Sequence, residues 1–294
     1  MNIFLMILAL VILICCAAVY WIYKQSMQVL GPTYKKRPLA VFPDQFKVPF
    51  ENINFTTSDN IKIKGWFIPC AGSTKTIFLM HGWGQNRGDI FKYTYILRDW
   101  GFNLVYFDFR AMGESGGSGS SIGYLETKDI EAAVKYIKAA RPAACESIGL
   151  YGVSMGAAAA VYYAAKNKNI KCLVCEASYF SYNRVVARWA WINKRMPYFP
   201  VIPLVLFFIR RRLGFDPEQY SPAYNVGALA GRPLFIIHGR SDNLVPAVNA
   251  TKLFKAAGEP KELWIIPGAK HNQCAEIGGE EYRYRLVQFF TKNL

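Results

Sequence analysis

One pentapeptide constrains this chain more than any other stretch: Gly152-Val153-Ser154-Met155-Gly156. An apolar run at 147–151 leads into it, and small residues at 157–160 lead out into a stretch of helical composition. A serine hydroxyl is a poor nucleophile unless it is held exposed, beside a base, and next to backbone N–H groups that can receive an oxyanion. A sharp strand-to-helix turn meets all three needs. It forces strained dihedrals on Ser154, so the residues two before and two after must be small, as Gly152 and Gly156 are. Glycine and serine are common in loops, and the spacing alone is a modest indication. The strand before it and the alanine-rich helix after it supply the setting it requires.

The flanking pattern sets the architecture. Paired strands are expected at 53–57 and 61–68 around a Ser58-Asp59-Asn60 turn. Continuous apolar runs follow at 76–80, 103–107, 147–151, 171–177 and 233–238, with a last strand at 262–266. Helical spacing occupies 89–100, 125–140, the stretch ending at Lys166, 246–257 and 280–291. Buried strands alternating with helices imply an α/β fold, a mostly parallel eight-stranded sheet covered on both faces. A chain of 294 residues with 52% hydrophobic content holds one such domain with ample core.

Residues 3–22 are apolar without a charge. About 20 residues at 1.5 Å each cross a hydrocarbon core of roughly 30 Å, and the summed insertion energy is about −5 kcal/mol. Tyr20, Trp21 and Tyr23 close the run where an interfacial aromatic belt would sit. A cleaved signal peptide fits less well: no Lys or Arg precedes the run, it is long, and no Ala-x-Ala site follows. Cys15 and Cys16 suggest a lipoprotein site, but Ile14 is too bulky for it. The expected organisation is a transmembrane anchor at 1–23, a Pro-punctuated linker at 24–47 and the α/β domain at 48–294. Lys24, Lys35, Lys36 and Arg37 follow the run, and their bias favours a single-pass protein with its body in the cytoplasm.

The net charge of +15 implies an anionic neighbour. No zinc-finger spacing or RNA-binding aromatic pattern appears, so nucleic acid is not an expected partner. The seven cysteines are scattered and frame no disulfide scaffold. Cys172 and Cys175 are three apart on an expected strand, point to opposite faces, and read as core thiols.

A serine nucleophile needs a base, and the chain has three histidines, each at or beyond the carboxyl end of an expected strand: His81, His238 and His271. Position does not separate them; the acid does. Asp242 follows the strand at 233–238, and the order Ser, Asp, His leaves His271 alone after it. His81 and His238 then read as structural. Asp108 and Arg110 read as a loop-fixing pair, and Asp129 and Glu131 as a solvated helix face. His271 and Cys274 have a ligand-like spacing, but no further ligands gather and neither metal nor cofactor is expected.

Five stretches carry a resemblance: residues 81–86 (His-Gly-Trp-Gly-Gln-Asn), residues 108–115 (Asp-Phe-Arg-Ala-Met-Gly-Glu-Ser), the Ser154 pentapeptide, residues 238–246 (His-Gly-Arg-Ser-Asp-Asn-Leu-Val-Pro) and residues 268–271 (Gly-Ala-Lys-His). In this order, within 53–294, they resemble the α/β hydrolases, and among them the serine aminopeptidase/prolyl-oligopeptidase-like hydrolases with their membrane-anchored BEM46/ABHD-type esterases and thioesterases. The one departure is Ala111, where the family usually has Gly. The resemblance implies Ser154 as nucleophile, His271 as base and Asp242 as its orienting acid. The backbone N–H groups of Met155 and Trp83 would form the oxyanion hole, the first set by the turn and the second carried over from the family. The Trp83 indole would line an acyl pocket or simply pack.

Residues 178–232 are too long for a plain crossover, and the family places a lid there. This segment holds Arg184, Arg188, Lys194, Arg195, Arg210, Arg211 and Arg212 with no acid before Asp216, interleaved with Trp189, Trp191, Tyr198, Phe199 and an apolar run at 204–209. Such a mixture suits contact with anionic lipid, or a lid whose apolar face covers the domain. The expectation is a membrane-anchored serine hydrolase acting on a small-molecule ester, thioester or lipid-like substrate. A serine peptidase for short peptides and a non-catalytic binding protein of the same fold are the alternatives.

Overall fold

The computed structural model describes residues 2–31 and 37–294; Lys35 and Lys36, counted above in the charge bias, lie outside them. Eight strands form one sheet: β1 (Glu51–Thr56), β2 (Lys62–Ile68), β3 (Lys75–Met80), β4 (Asn103–Phe107), β5 (Ser147–Val153), β6 (Ile170–Glu176), β7 (Leu234–Gly239) and β8 (Lys261–Ile266). Their order is β1-β2-β4-β3-β5-β6-β7-β8. β1 and β2 are a hairpin, β2 meets β4 antiparallel, and every later pairing is parallel. The hairpin turns because Asn60 accepts a positive φ of 63° and the Thr57 hydroxyl accepts the Ile61 N–H at 2.9 Å.

The helices are α1 (Ile3–Leu30), α2 (Arg87–Thr94), α3 (Glu126–Ala140), α4 (Met155–Lys166), α5 (Tyr182–Lys194), α6 (Val201–Leu213), α7 (Pro222–Asn225), α8 (Val248–Ala256) and α9 (Cys274–Asn293). Side chains alternate across β5. Ile148 and Leu150 join the layer with α3, α4 and α8, while Tyr151 and Val153 join the layer with α2 and α9. Cys172 and Cys175 divide between the same two layers, and burial pushes the Cys172 thiol up to about 12. Ile130, Val134 and Ile137 form the buried stripe of α3; each buried aliphatic side chain contributes about 2 kcal/mol.

Three elements depart from the sequence expectation, one being the closing helix, expected over 280–291, which begins at Cys274 and kinks at Gly279. The helix expected over 89–100 is α-helical only to Thr94 and tightens into a 3-10 turn from Tyr95 to Trp100, ended by Gly101 at φ 89°. The segment expected as linker begins as helix. α1 runs past Tyr23 to Leu30, since no Pro or Gly interrupts it before Gly31, and Pro43–Phe46 is a 3-10 turn whose Phe46 packs on Phe91 and Tyr95. The outer part of α1 is exposed, with a mean hydropathy of 3.1 over its most apolar stretch, long and apolar enough to cross a membrane. Its last turns are not exposed: Ile22, Val29 and Leu30 enter a third apolar cluster with Val186, Ile202, Leu206 and Ile209 of α5 and α6.

Candidate active site

β5 ends at Val153 and α4 begins at Met155, so the whole change of direction falls on Ser154. It takes φ 53° and ψ −112°, a conformation that side chains rarely adopt. Its N–H donates to the Glu176 carbonyl at the end of β6 (2.8 Å). A Cβ on Gly152 would stand 2.6 Å from the Ala157 backbone, and one on Gly156 would stand 2.6 Å from the carbonyl oxygens of Met80 and His81. Those neighbours are backbone and cannot swing aside, so both positions require glycine.

The Ser154 Oγ lies 3.1 Å from His271 Nε2, and His271 Nδ1 lies 2.6 Å from Asp242 Oδ2. Beside the carboxylate Nδ1 carries the proton, which leaves Nε2 as an acceptor facing the hydroxyl. Asp242 Oδ1 accepts the N–H groups of Leu244 (3.0 Å) and Val245 (2.8 Å). Burial alone would raise the Asp242 carboxyl, but bonds from His238 and His271 outweigh it and hold it at about 2.

The other two histidines face inward. His81 donates from Nδ1 to the Gly82 carbonyl at 2.7 Å and accepts the Phe109 N–H at Nε2 (3.0 Å), tying the loop after β3 to the loop after β4. Burial depresses its proton affinity. His238 donates from Nε2 to the Val245 carbonyl at 2.7 Å, and the same nitrogen stands 3.5 Å from Asp242 Oδ2. Trp83 sits where the loop after β3 approaches Ser154; Gly82 N–H donates to Gln85 Oε1 at 2.9 Å and closes that turn. The Trp83 indole meets Trp189 edge-on, ring centres 6.0 Å apart. Met155 is the first residue of α4, so its N–H has no carbonyl one turn back within the helix.

Two readings of charged residues need correction. Asp108 and Arg110 do not pair with each other. Asp108 takes the Arg87 guanidinium and the N–H groups of Arg87 and Glu114. Arg110 grips Asp129 through Nε (3.0 Å) and Nη2 (2.7 Å), and Asp59 through Nη1 (2.8 Å). Asp129 is therefore no solvated residue but fully buried, drawn inward because Arg110 points under the first turns of α3. Ala111 holds φ 61°, which explains why glycine suits this position and why the loop tolerates alanine only with strain.

Sequence reasoning passed over Glu176. It is buried beneath the elbow, and its Oε2 accepts the hydroxyls of Tyr151 (2.7 Å) and Tyr282 (2.5 Å); burial raises its carboxyl. The one indication available was an acid closing an otherwise apolar run. Beside Ser154 lies a narrow apolar pocket of about 50 Å³, walled by Trp83, Ile122, Tyr179, Val186 and Trp189.

Comparison with known proteins agrees with this architecture. Residues 72–212 match the family described as serine aminopeptidase, S33. The uncharacterized protein YqkD of Bacillus subtilis is 27% identical over 234 residues, 79% of this chain and 76% of its own length. An uncharacterized membrane protein of Saccharomyces cerevisiae is 24% identical over 236 residues, 78% of this chain and 76% of its own. Among solved structures, the Pyrococcus furiosus esterase Pf2001 superposes with a TM-score of 0.73 at 28% identity, covering 88% of this chain and 97% of that one. The sheet order, the strand-to-helix turn at Ser154 and these matches together give the chain the α/β-hydrolase fold.

Proposed function

We propose that this protein is a membrane-anchored serine hydrolase that cleaves a carboxylic ester or thioester through an acyl-enzyme. The observation that carries the reading is the continuous hydrogen-bonded line from Ser154 Oγ through His271 to Asp242, with the serine at a strained elbow. In this mechanism His271 Nε2 takes the hydroxyl proton as Ser154 Oγ adds to the substrate carbonyl, and Asp242 stabilises the imidazolium. The N–H groups of Met155 and Trp83 bind the oxyanion; losing one such donor costs about 3 kcal/mol of transition-state stabilisation. His271 then returns the proton to the leaving alcohol or thiol. A water, deprotonated by the same nitrogen, adds to the acyl carbonyl and expels Ser154.

The family description favours a peptidase as the second reading. An aminopeptidase needs a carboxylate for the substrate's ammonium group. Among the described residues no Asp or Glu lines the pocket beside Ser154, and Asp216, the first acid of the insert, pairs with Arg210 at 3.0 Å. The apolar walls suit an acyl chain instead. α1 is read as the anchor and residues 178–232 as a lid. Against cleavage of α1 stands the burial of Ile22, Val29 and Leu30 in the body. Arg184, Arg188 and Lys252 surround a crevice shared with Trp191 and Tyr198, which suits contact with anionic lipid.

The test is labelling with a fluorophosphonate, followed by turnover of a panel of acyl esters, acyl thioesters and aminoacyl amides. The protein is expected to label and Ser154→Ala to stay silent. Labelling that persists in the variant moves the nucleophile elsewhere, and turnover confined to aminoacyl amides selects the peptidase.

A further inference from the structure

The N-terminal helix does more than leave the body toward a membrane: its last turns reach the pocket beside Ser154. Val29 is buried and lines that pocket together with Trp83, Met155, Val186 and Trp189. The helix end is fixed in place. The Leu30 carbonyl accepts the Ser120 N–H at 2.8 Å, and Gly119 passes so close that a Cβ there would stand 3.0 Å from the same oxygen. Ser120 in turn donates to Glu126 at 2.7 Å and touches the sulfur of Met155, the residue after the elbow, at 3.6 Å. On the other side Tyr23 packs edge-on against Phe208 of α6, ring centres 5.4 Å apart.

Resting on the serine-hydrolase reading, we infer that Val29 is a specificity-determining residue: the end of the apolar N-terminal helix forms a wall of the acyl pocket and sets which hydrophobic acyl group the enzyme accepts. The pocket wall and the membrane segment are one continuous helix. Its outer turns carry exposed apolar side chains, while Val29 near its end lines the same pocket as Ser154. The substrate class that follows is an ester or thioester of a short acyl group, held against Val29, Val186 and Trp189 in a pocket of about 50 Å³. A methylene more or less in such a pocket changes kcat/KM by about tenfold or more, so a change of side-chain volume at one wall is readable in the chain-length profile.

The experiment uses the full chain in neutral-lipid nanodiscs and measures kcat/KM for acetyl, butyryl, octanoyl and lauroyl esters of p-nitrophenol. Val29→Ala is expected to shift preference at least about tenfold toward the longer esters, and Val29→Trp by a similar factor toward acetyl. Leu10→Trp, on the exposed outer part of the same helix, is expected to leave the profile unchanged. Fluorophosphonate labelling, which needs little of the pocket, reports that each variant is folded. Identical profiles in Val29→Ala and the parent, with both labelled, overturn the inference and leave the serine-hydrolase reading standing. A profile that shifts as much in Leu10→Trp as in Val29→Trp also overturns it, because the effect then comes from the lipid. A parent that neither labels nor turns over any ester takes down the underlying reading, and this inference with it.

Discussion

Asp242 is held by two imidazoles and two backbone N–H groups, and its charge has consequences that can be measured. Its carboxyl sits at about 2 in the folded chain, below the ordinary value of about 3.9. The ionised form therefore stabilises the fold. That contribution, about 2 kcal/mol, is fully present above about pH 4 and is lost as pH falls through about 2. Asp242→Asn is expected to lower stability by a constant amount between pH 5 and 8 in urea titrations, with the gap to the parent closing on acidification. The same substitution should reduce kcat/KM about 10^4-fold, since the amide no longer enforces the productive tautomer of His271. A variant with near-parental turnover would place the orienting acid elsewhere. That Ser154, Asp242 and His271 lie within hydrogen-bond reach of one another accords with what local patterns lead one to expect: glycines at fixed offsets, a strand end, and the order in which acid and base occur. Val29 and Glu176 stand in no such pattern. Their positions beside the serine arise from contacts between segments far apart in the chain, which spacing does not encode.

At the scale of elements, α3 is instructive. Its apolar stripe follows the helical period, and the stripe and its span could be read from residue types alone. The burial of Asp129 could not, because it depends on Arg110 arriving from the loop after β4, in another part of the chain. A charge on a helix is solvated by default and buried only when a partner lies in wait, and the partner is a tertiary fact. This pair also fixes how that loop lies against α3. Arg110→Ala leaves Asp129 buried without its counter-charge and is expected to cost about 3–5 kcal/mol. Asp129→Ala, which strands a guanidinium that still has Asp59, should cost less. Chemical denaturation of both variants and of the double variant checks the order, and equal losses in the two single variants would show that Asp59 offers Arg110 no support. The elbow differs from α3 in being almost wholly local. Gly152, Ser154 and Gly156 are forced by the backbone they belong to, which is why that element could be placed from sequence to within a residue.

At the scale of the whole molecule, the end of α1 packs against α5 and α6 of the insert, the segment that carries seven basic residues ahead of its first acid. Arg184, Arg188, Lys194, Arg195, Arg210, Arg211 and Arg212 are all exposed, and Tyr198, Phe199 and Phe207 are exposed among them. Each basic residue near an anionic bilayer contributes about 1 kcal/mol, so four engaged together give about 4 kcal/mol, roughly a thousandfold in partition. A chain beginning at Pro38, which lacks α1, isolates this contribution. It is expected to co-sediment with phosphatidylserine vesicles at low salt, to stay in solution with phosphatidylcholine vesicles, and to be released in about 1 M salt, where the screening length falls to about 3 Å. Reversing charge at Arg184 and Arg188 together should weaken the first of these without touching the second. Equal binding to both kinds of vesicle would report the apolar surface that α1 normally covers, and would count against the basic residues. No binding to either would make α1 the sole tether, and the excess positive charge would then need a soluble anionic partner to explain it.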